Sequence, residues 1–124
     1  MASVTISNVL KPDKIIRCDT LVDAGASLLV LPSAWRDRLG DLPEIRQIEL
    51  ETATQDAAKA GVCAPVRLQI EKFPPIVTEV AFVDMVPQNG EYEPLIGYIP
   101  LEQSQAAVDI PGHRLVCLER LDLK

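Results

Sequence analysis

Hydrophobic and polar residues alternate with period two through much of this chain, and the alternation predicts a succession of strands. Val4 and Ile6 alternate with Ser3, Thr5 and Ser7. Pro12-Asp13 marks a turn, and over 14–22 Ile16, Cys18, Thr20 and Val22 then share one face, with Arg17 and Asp19 on the other. Residues 28–31 are a continuous apolar run, the pattern of a buried strand bounded by turn signals. Between these two strands lies a tight break, Asp23-Ala24-Gly25-Ala26-Ser27. Gly25 allows a backbone shape or a close approach that a side chain would prevent. Asp23 is therefore presented at the mouth of a core.

Pro32-Ser33 opens a short helical turn over 34–39, with Ser33 placed to cap it and Gly40 to close it. Trp35, the single tryptophan, packs this turn onto the sheet, given the area an indole buries. Next, Ile48, Leu50 and Thr52 alternate with Gln47, Glu49 and Glu51, and later Val66, Leu68 and Ile70 alternate with Arg67, Gln69 and Glu71. The small, polar segment 53–61 between them gives a long hairpin with a light, mobile tip. Alanine propensity alone would make 53–60 helical, but strand patterns on both sides favour the hairpin.

Phe73-Pro74-Pro75 is a rigid connection into a strand over 76–83, and Asn89-Gly90 is a strong turn signal in a surface loop over 87–94. Leu95-Ile96 is a short apolar strand ended by Gly97. Pro100 then opens a helix that sets Leu101, Ser104, Gln105 and Val108 on one face. Pro111-Gly112 predicts a type II turn before a closing strand over 114–118. Seven or eight strands with one or two short helices make the class mainly β.

The 124 residues suit one domain over 1–124. A net charge of −6 argues against nucleic acid, whose phosphates need a basic surface, and against a polybasic membrane patch. No apolar run approaches the roughly 18 residues of a membrane span, and the start lacks a signal peptide's basic and apolar regions. The expectation is a soluble, cytoplasmic protein with no nucleic-acid or membrane partner. Cys18, Cys63 and Cys117 are odd in number and widely spaced, which fits small buried hydrophobes better than disulfides. His113 lies four residues before Cys117, but in a strand-like pattern with no Cys-x-x-Cys pair, so neither a metal nor another cofactor is expected. Asp13, Asp19, Asp84 and Asp109 read as solvated strand-end or turn acids.

An Asp-x-Gly triplet is by itself a common turn feature. The whole run Leu21-Val22-Asp23-Ala24-Gly25-Ala26-Ser27, with 28–32 behind it, resembles the active-site segment of retropepsin-like aspartic proteases. Leu95-Ile96-Gly97 is similar to the apolar-apolar-Gly element those proteins place under the catalytic loop, and the hairpin centred on 54–58 matches the position of their flap. The resemblance covers most of the chain in element order. It is strongest to small, single-domain cytoplasmic members found outside viruses.

The resemblance implies an acid-protease half-barrel with a flap hairpin that forms a two-fold homodimer, each chain supplying one catalytic aspartate, here Asp23. Its implied activity is an aspartic endopeptidase acting on an extended peptide or unfolded protein. Gly25, Ser27 and the flap residues Thr54, Gln55, Asp56, Ala57 and Ala58 are the implied substrate contacts. Ala24 stands where the family has Thr or Ser, whose hydroxyl reaches the partner's backbone across the dimer axis; this dimer contact is lost. Ala26 stands where other members have a hydroxyl that favours the ionised carboxylate, which implies a mildly acidic optimum. A non-catalytic dimerisation or peptide-binding module that keeps the fold is the alternative reading.

Overall fold

The computed structural model describes residues 1–23, 25–51, 57–104, 106–109 and 114–117. Seven strands form the main sheet: β1 (Ala2–Asn8), β2 (Lys11–Val22), β3 (Leu29–Pro32), β4 (Glu44–Glu51), β5 (Ala57–Ile70), β6 (Ile76–Val83) and β7 (Leu95–Ile96). Their order is β1-β2-β7-β3-β6-β5-β4, and β1 pairs with β5 as well as with β2. Six strands therefore close into a ring, and β4 extends from it on β5. A 3-10 helical turn, Ser33–Leu39, follows β3; the helix α1 (Tyr98–Gln103) follows β7; and a separate hairpin joins β8 (Ala106–Asp109) to β9 (Arg114–Cys117).

Side-chain alternation decides which way each strand faces. Ala2, Val4 and Ile6 of β1, Ile16 of β2, Leu29 and Leu31 of β3, Val66, Leu68 and Ile70 of β5, and Val80 and Phe82 of β6 meet in the main core, closed by Leu39, Leu42, Phe73 and Leu101. Trp35 packs against this core from the helical turn, edge-on to Tyr92 at 5.9 Å and beneath the Arg38 guanidinium. The intervening residues Leu28, Val30, Ala60, Val62, Ala81 and Val83 form a second buried cluster, joined by half-buried Ile48, Met85, Leu95 and Ile99. Strands β3, β5 and β6 are thus apolar on both faces, the pattern of central strands covered on both sides.

Several boundaries differ from those the sequence predicts, each for a local reason. The first turn lies at Val9-Leu10, because the Asn8 side-chain oxygen accepts the Leu10 N–H at 2.8 Å and its amide donates to Leu39 O (2.7 Å) and Asp41 O (2.9 Å). Pro12 and Asp13 instead belong to β2, at the register shift where pairing passes from Asn8↔Lys11 to Ser7↔Ile15. A residue without an N–H costs no ladder bond there.

Ser33 is the first residue of its helical turn and makes no capping bond, whereas Gly40 closes the turn at φ 69° with its N–H on Asp37 O (3.1 Å). Helix α1 starts at Tyr98, two residues before Pro100, and ends before Val108, which lies in β8. The amides of Tyr98 and Ile99 are engaged outside the helix, so the missing proline N–H falls in a turn that needs no donor. The hairpin ladder runs from Glu44↔Cys63 to Glu51↔Ala57, so 57–61 are paired strand and not tip. The type II turn at Pro111-Gly112 falls outside the described residues.

Candidate active site

Strand β7 is inserted between the strand that delivers Asp23 and the strand that leaves it. It pairs parallel with β2 (Leu21↔Leu95, Val22↔Ile96) and antiparallel with β3 (Leu29↔Ile96, Val30↔Leu95). The chain from Asp23 to Leu28 must therefore pass over the end of β7, and backbone hydrogen bonds hold it there. Ile96 O accepts the Asp23 N–H at 3.0 Å; Gly97 N–H donates to Leu28 O (2.9 Å), Tyr98 N–H to Ala26 O (2.9 Å) and Ile99 N–H to Ser27 O (3.1 Å). The first amides of α1, which have no partner inside a helix, thus serve the Asp23 loop.

Gly97 is required by this contact. A Cβ on it would lie 2.6 Å from Ala26 O and 2.6 Å from the Ser27 carbonyl carbon, distances that force backbone to move. Gly25 acts differently: its N–H donates to Asp23 Oδ1 at 2.9 Å, and a Cβ there would meet that same oxygen at 3.2 Å. The loop is closed on itself by the Ala26 N–H on Asp23 O (3.1 Å). Asp23 is half-buried, Gly25 exposed and Ser27 half-buried. One carboxylate oxygen is therefore fixed by a backbone donor while the group stays within reach of solvent.

The geometry brings together Asp23, Gly25 and Ser27. Ala24 and the tip residues Thr54, Gln55 and Asp56 lie outside the described residues, and the backbone of Ala57 and Ala58 sits in β5 opposite Glu51 and Leu50. The second apolar cluster links these parts, since Ala60 and Val62 of the hairpin strand share it with Leu28 and Val30, which follow the Asp23 loop directly. Leu28, Val30, Ile48, Leu95 and Ile99 were not singled out from sequence as site residues. For Leu28 and Val30 the signal is the uninterrupted apolar character of 28–31, where strict alternation would leave one face polar; Ile48, Leu95 and Ile99 are brought to them only by the strand pairings.

Cys18 and Cys63 are free thiols. Burial, aided by the neighbouring Asp19 charge, pushes the Cys18 thiol up to about 11, and burial likewise raises Cys63. Neither is an activated nucleophile, because the thiolate is the reactive form. Among the described residues no three His, Cys, Asp or Glu side chains converge as a metal site, and no helix is long and apolar enough to cross a membrane.

No protein-family model and no curated protein sequence matches the chain. A solved structure, EIAV protease complexed with the inhibitor HBY-793, superposes with a TM-score of 0.57 at 20% sequence identity, covering 94% of this chain and 91% of that chain. The closed sheet, the β4–β5 hairpin and the inserted β7 are together the retropepsin fold.

Proposed function

We propose that this chain, as a single domain, is one half of an aspartic endopeptidase whose active site forms when two copies bring their Asp23 loops together. The observation that carries this reading is the Asp23 loop itself, clamped over β7 with its carboxylate held by the Gly25 N–H, in a protein of retropepsin fold. Leu21 and Tyr98, exposed apolar residues beside that loop, supply surface for the second copy. An isologous pairing places Asp23 against its own counterpart.

With two carboxylates so close, mutual repulsion favours one carrying the proton while the other carries the charge. The ionised member takes a proton from a bound water, which attacks the scissile carbonyl carbon; the protonated member gives its proton to the carbonyl oxygen and then to the leaving amine nitrogen. The substrate lies extended between the loops and the two hairpins, its backbone bonded as an added strand. Gly25, Ser27 and residues 54–58 supply those contacts, and the half-buried Ile48, Leu95 and Ile99, packed against the second cluster, offer apolar surface to substrate side chains. The free thiols of Cys18 and Cys63 fit a reducing compartment such as the cytoplasm.

Ala24 favours a second reading, a dimerising or peptide-binding module that has lost catalysis, because it lacks the hydroxyl that the resemblance places across the dimer axis. The two readings separate in one assay on an unfolded protein substrate and a broad peptide library. Restoring the hydroxyl with Ala24→Thr gives cleavage that Asp23→Asn abolishes if the endopeptidase reading holds. An Ala24→Thr protein that dimerises and cleaves neither substrate sinks it.

A further inference from the structure

The chain's two asparagines sit in opposite chemical environments, and the proposed catalysis uses neither. Asn8 is fully buried, with its side-chain amide bonded to Leu39 O and Asp41 O, its oxygen bonded to Leu10 N–H, and a β-branched Val9 following it. Asn89 is exposed at the tip of the connection between β6 and β7 and is followed by Gly90. Both tip residues have positive φ, 54° for Asn89 and 79° for Gly90, the pattern of a type I′ turn. The turn is closed by Gln88 N–H on Glu91 O (2.8 Å) and Glu91 N–H on Gln88 O (3.0 Å).

Two further features concern reactivity. Among the described residues neither the Gly90 N–H nor the Asn89 side-chain amide has a hydrogen-bond partner, and beyond Gly90 and its two chain neighbours no heavy atom lies within 4 Å of where a Gly90 Cβ would stand. The backbone nitrogen after Asn89 is therefore unengaged, in a tip whose two residues are both exposed. Opening a two-bond turn at an exposed tip is a low-cost local fluctuation.

We propose that Asn89-Gly90 is a site of spontaneous covalent modification, with water as the only co-reactant. The Gly90 nitrogen, deprotonated by hydroxide, attacks Cγ of the Asn89 side chain. The bond from Cγ to the amide nitrogen breaks, the nitrogen takes a proton from water and leaves as ammonia, and a five-membered succinimide closes. Water then opens the ring at one carbonyl or the other, giving aspartate or isoaspartate. One water is consumed and one ammonia released, with no change in oxidation state.

The product adds a negative charge to a chain of net charge −6, and the isoaspartate form lengthens the turn by one backbone methylene. The change stays local, because Tyr92 packs edge-on against Trp35 and the Leu21 N–H holds Pro94 O at 2.8 Å, which anchors the chain between the tip and β7.

The test is incubation of the folded protein in mildly alkaline buffer at body temperature, followed by ion exchange and peptide mapping. The expected result is one growing acidic species carrying Asp and isoAsp at position 89, intact Asn8, and an Asn89 rate similar to that in the urea-unfolded chain. Asn89→Gln abolishes the species, and Gly90→Ala slows it by hindering the nucleophile. An Asn89 protected in the folded chain relative to the unfolded one, an Asn8 that reacts as fast, or an acidic species that persists in Asn89→Gln each overturns the proposal.

Discussion

Gly97→Ala perturbs the Asp23 loop without touching Asp23. The new Cβ would stand 2.6 Å from Ala26 O and Ser27 C, and ordinary contact begins at 3.4 Å, so backbone must retreat by about 0.8 Å. No flexible side chain can absorb that movement. It stretches the bonds from Tyr98 N–H to Ala26 O and from Ile99 N–H to Ser27 O, now 2.9 and 3.1 Å, beyond hydrogen-bonding range. Overpacking costs about 1–3 kcal/mol, and two lost bonds add about 0.5–1.5 kcal/mol each. The total is roughly 2–6 kcal/mol by combining those ranges. With a urea slope of about 1–3 kcal/mol per molar, the unfolding midpoint falls by one to a few molar. Gly25→Ala, whose Cβ meets only the Asp23 carboxylate oxygen at 3.2 Å, shifts it less. Paired urea titrations of the three proteins make the comparison. A Gly97→Ala midpoint equal to that of the unsubstituted chain would falsify the claim that this glycine holds the Asp23 loop.

Restoring the hydroxyl at position 24 should tighten self-association. Two satisfied amides at about 1–3 kcal/mol each correspond to roughly one to four orders of magnitude in dimer affinity, read by sedimentation across a concentration series; equal affinities count against a dimer built on this loop. The Cys18 thiol, raised to about 11, should resist alkylation in the folded chain at mildly alkaline pH and react on unfolding. Its folded value lies above the ordinary one near 8.5, so its contribution to stability is full below that value and lost as pH rises towards about 11. Urea midpoints that fall over that window in the unsubstituted chain, and less in Cys18→Ala, check the sign.

Glu79 is held below the ordinary carboxylate range by its two-point bond to Arg46, at 2.8 Å on each oxygen. Its contribution is therefore present above the unfolded value and lost as pH falls through the folded one. The stability difference between Glu79→Gln and the unsubstituted chain should vanish in acid and shrink in high salt; a difference that grows in acid refutes the assignment.

Much of this architecture is written in side-chain periodicity. The strand over 76–83, read as the segment that the rigid Phe73-Pro74-Pro75 connection leads into, is the β6 observed, and Leu95-Ile96-Gly97 marks β7 and its close contact. Where the reading fails, a long-range bond has overridden a local signal. Pro12-Asp13 looks like a turn until Asn8 is seen tied to Leu39 and Asp41, more than thirty residues away. Pro100 looks like a helix start until the Tyr98 and Ile99 amides are found on the Asp23 loop. The second apolar cluster escaped because it depends on which strands flank β3, and only the β3–β6 and β3–β7 pairings reveal that.

In the proposed mechanism Asp23 does chemistry only beside its own copy. The most direct test is the cleavage rate of the Ala24→Thr protein at concentrations below its dimer dissociation constant. A rate that rises with the square of protein concentration, and falls to nothing in Asp23→Asn, is the predicted result. Cleavage that is linear in concentration in that range, or that survives Asp23→Asn, contradicts it.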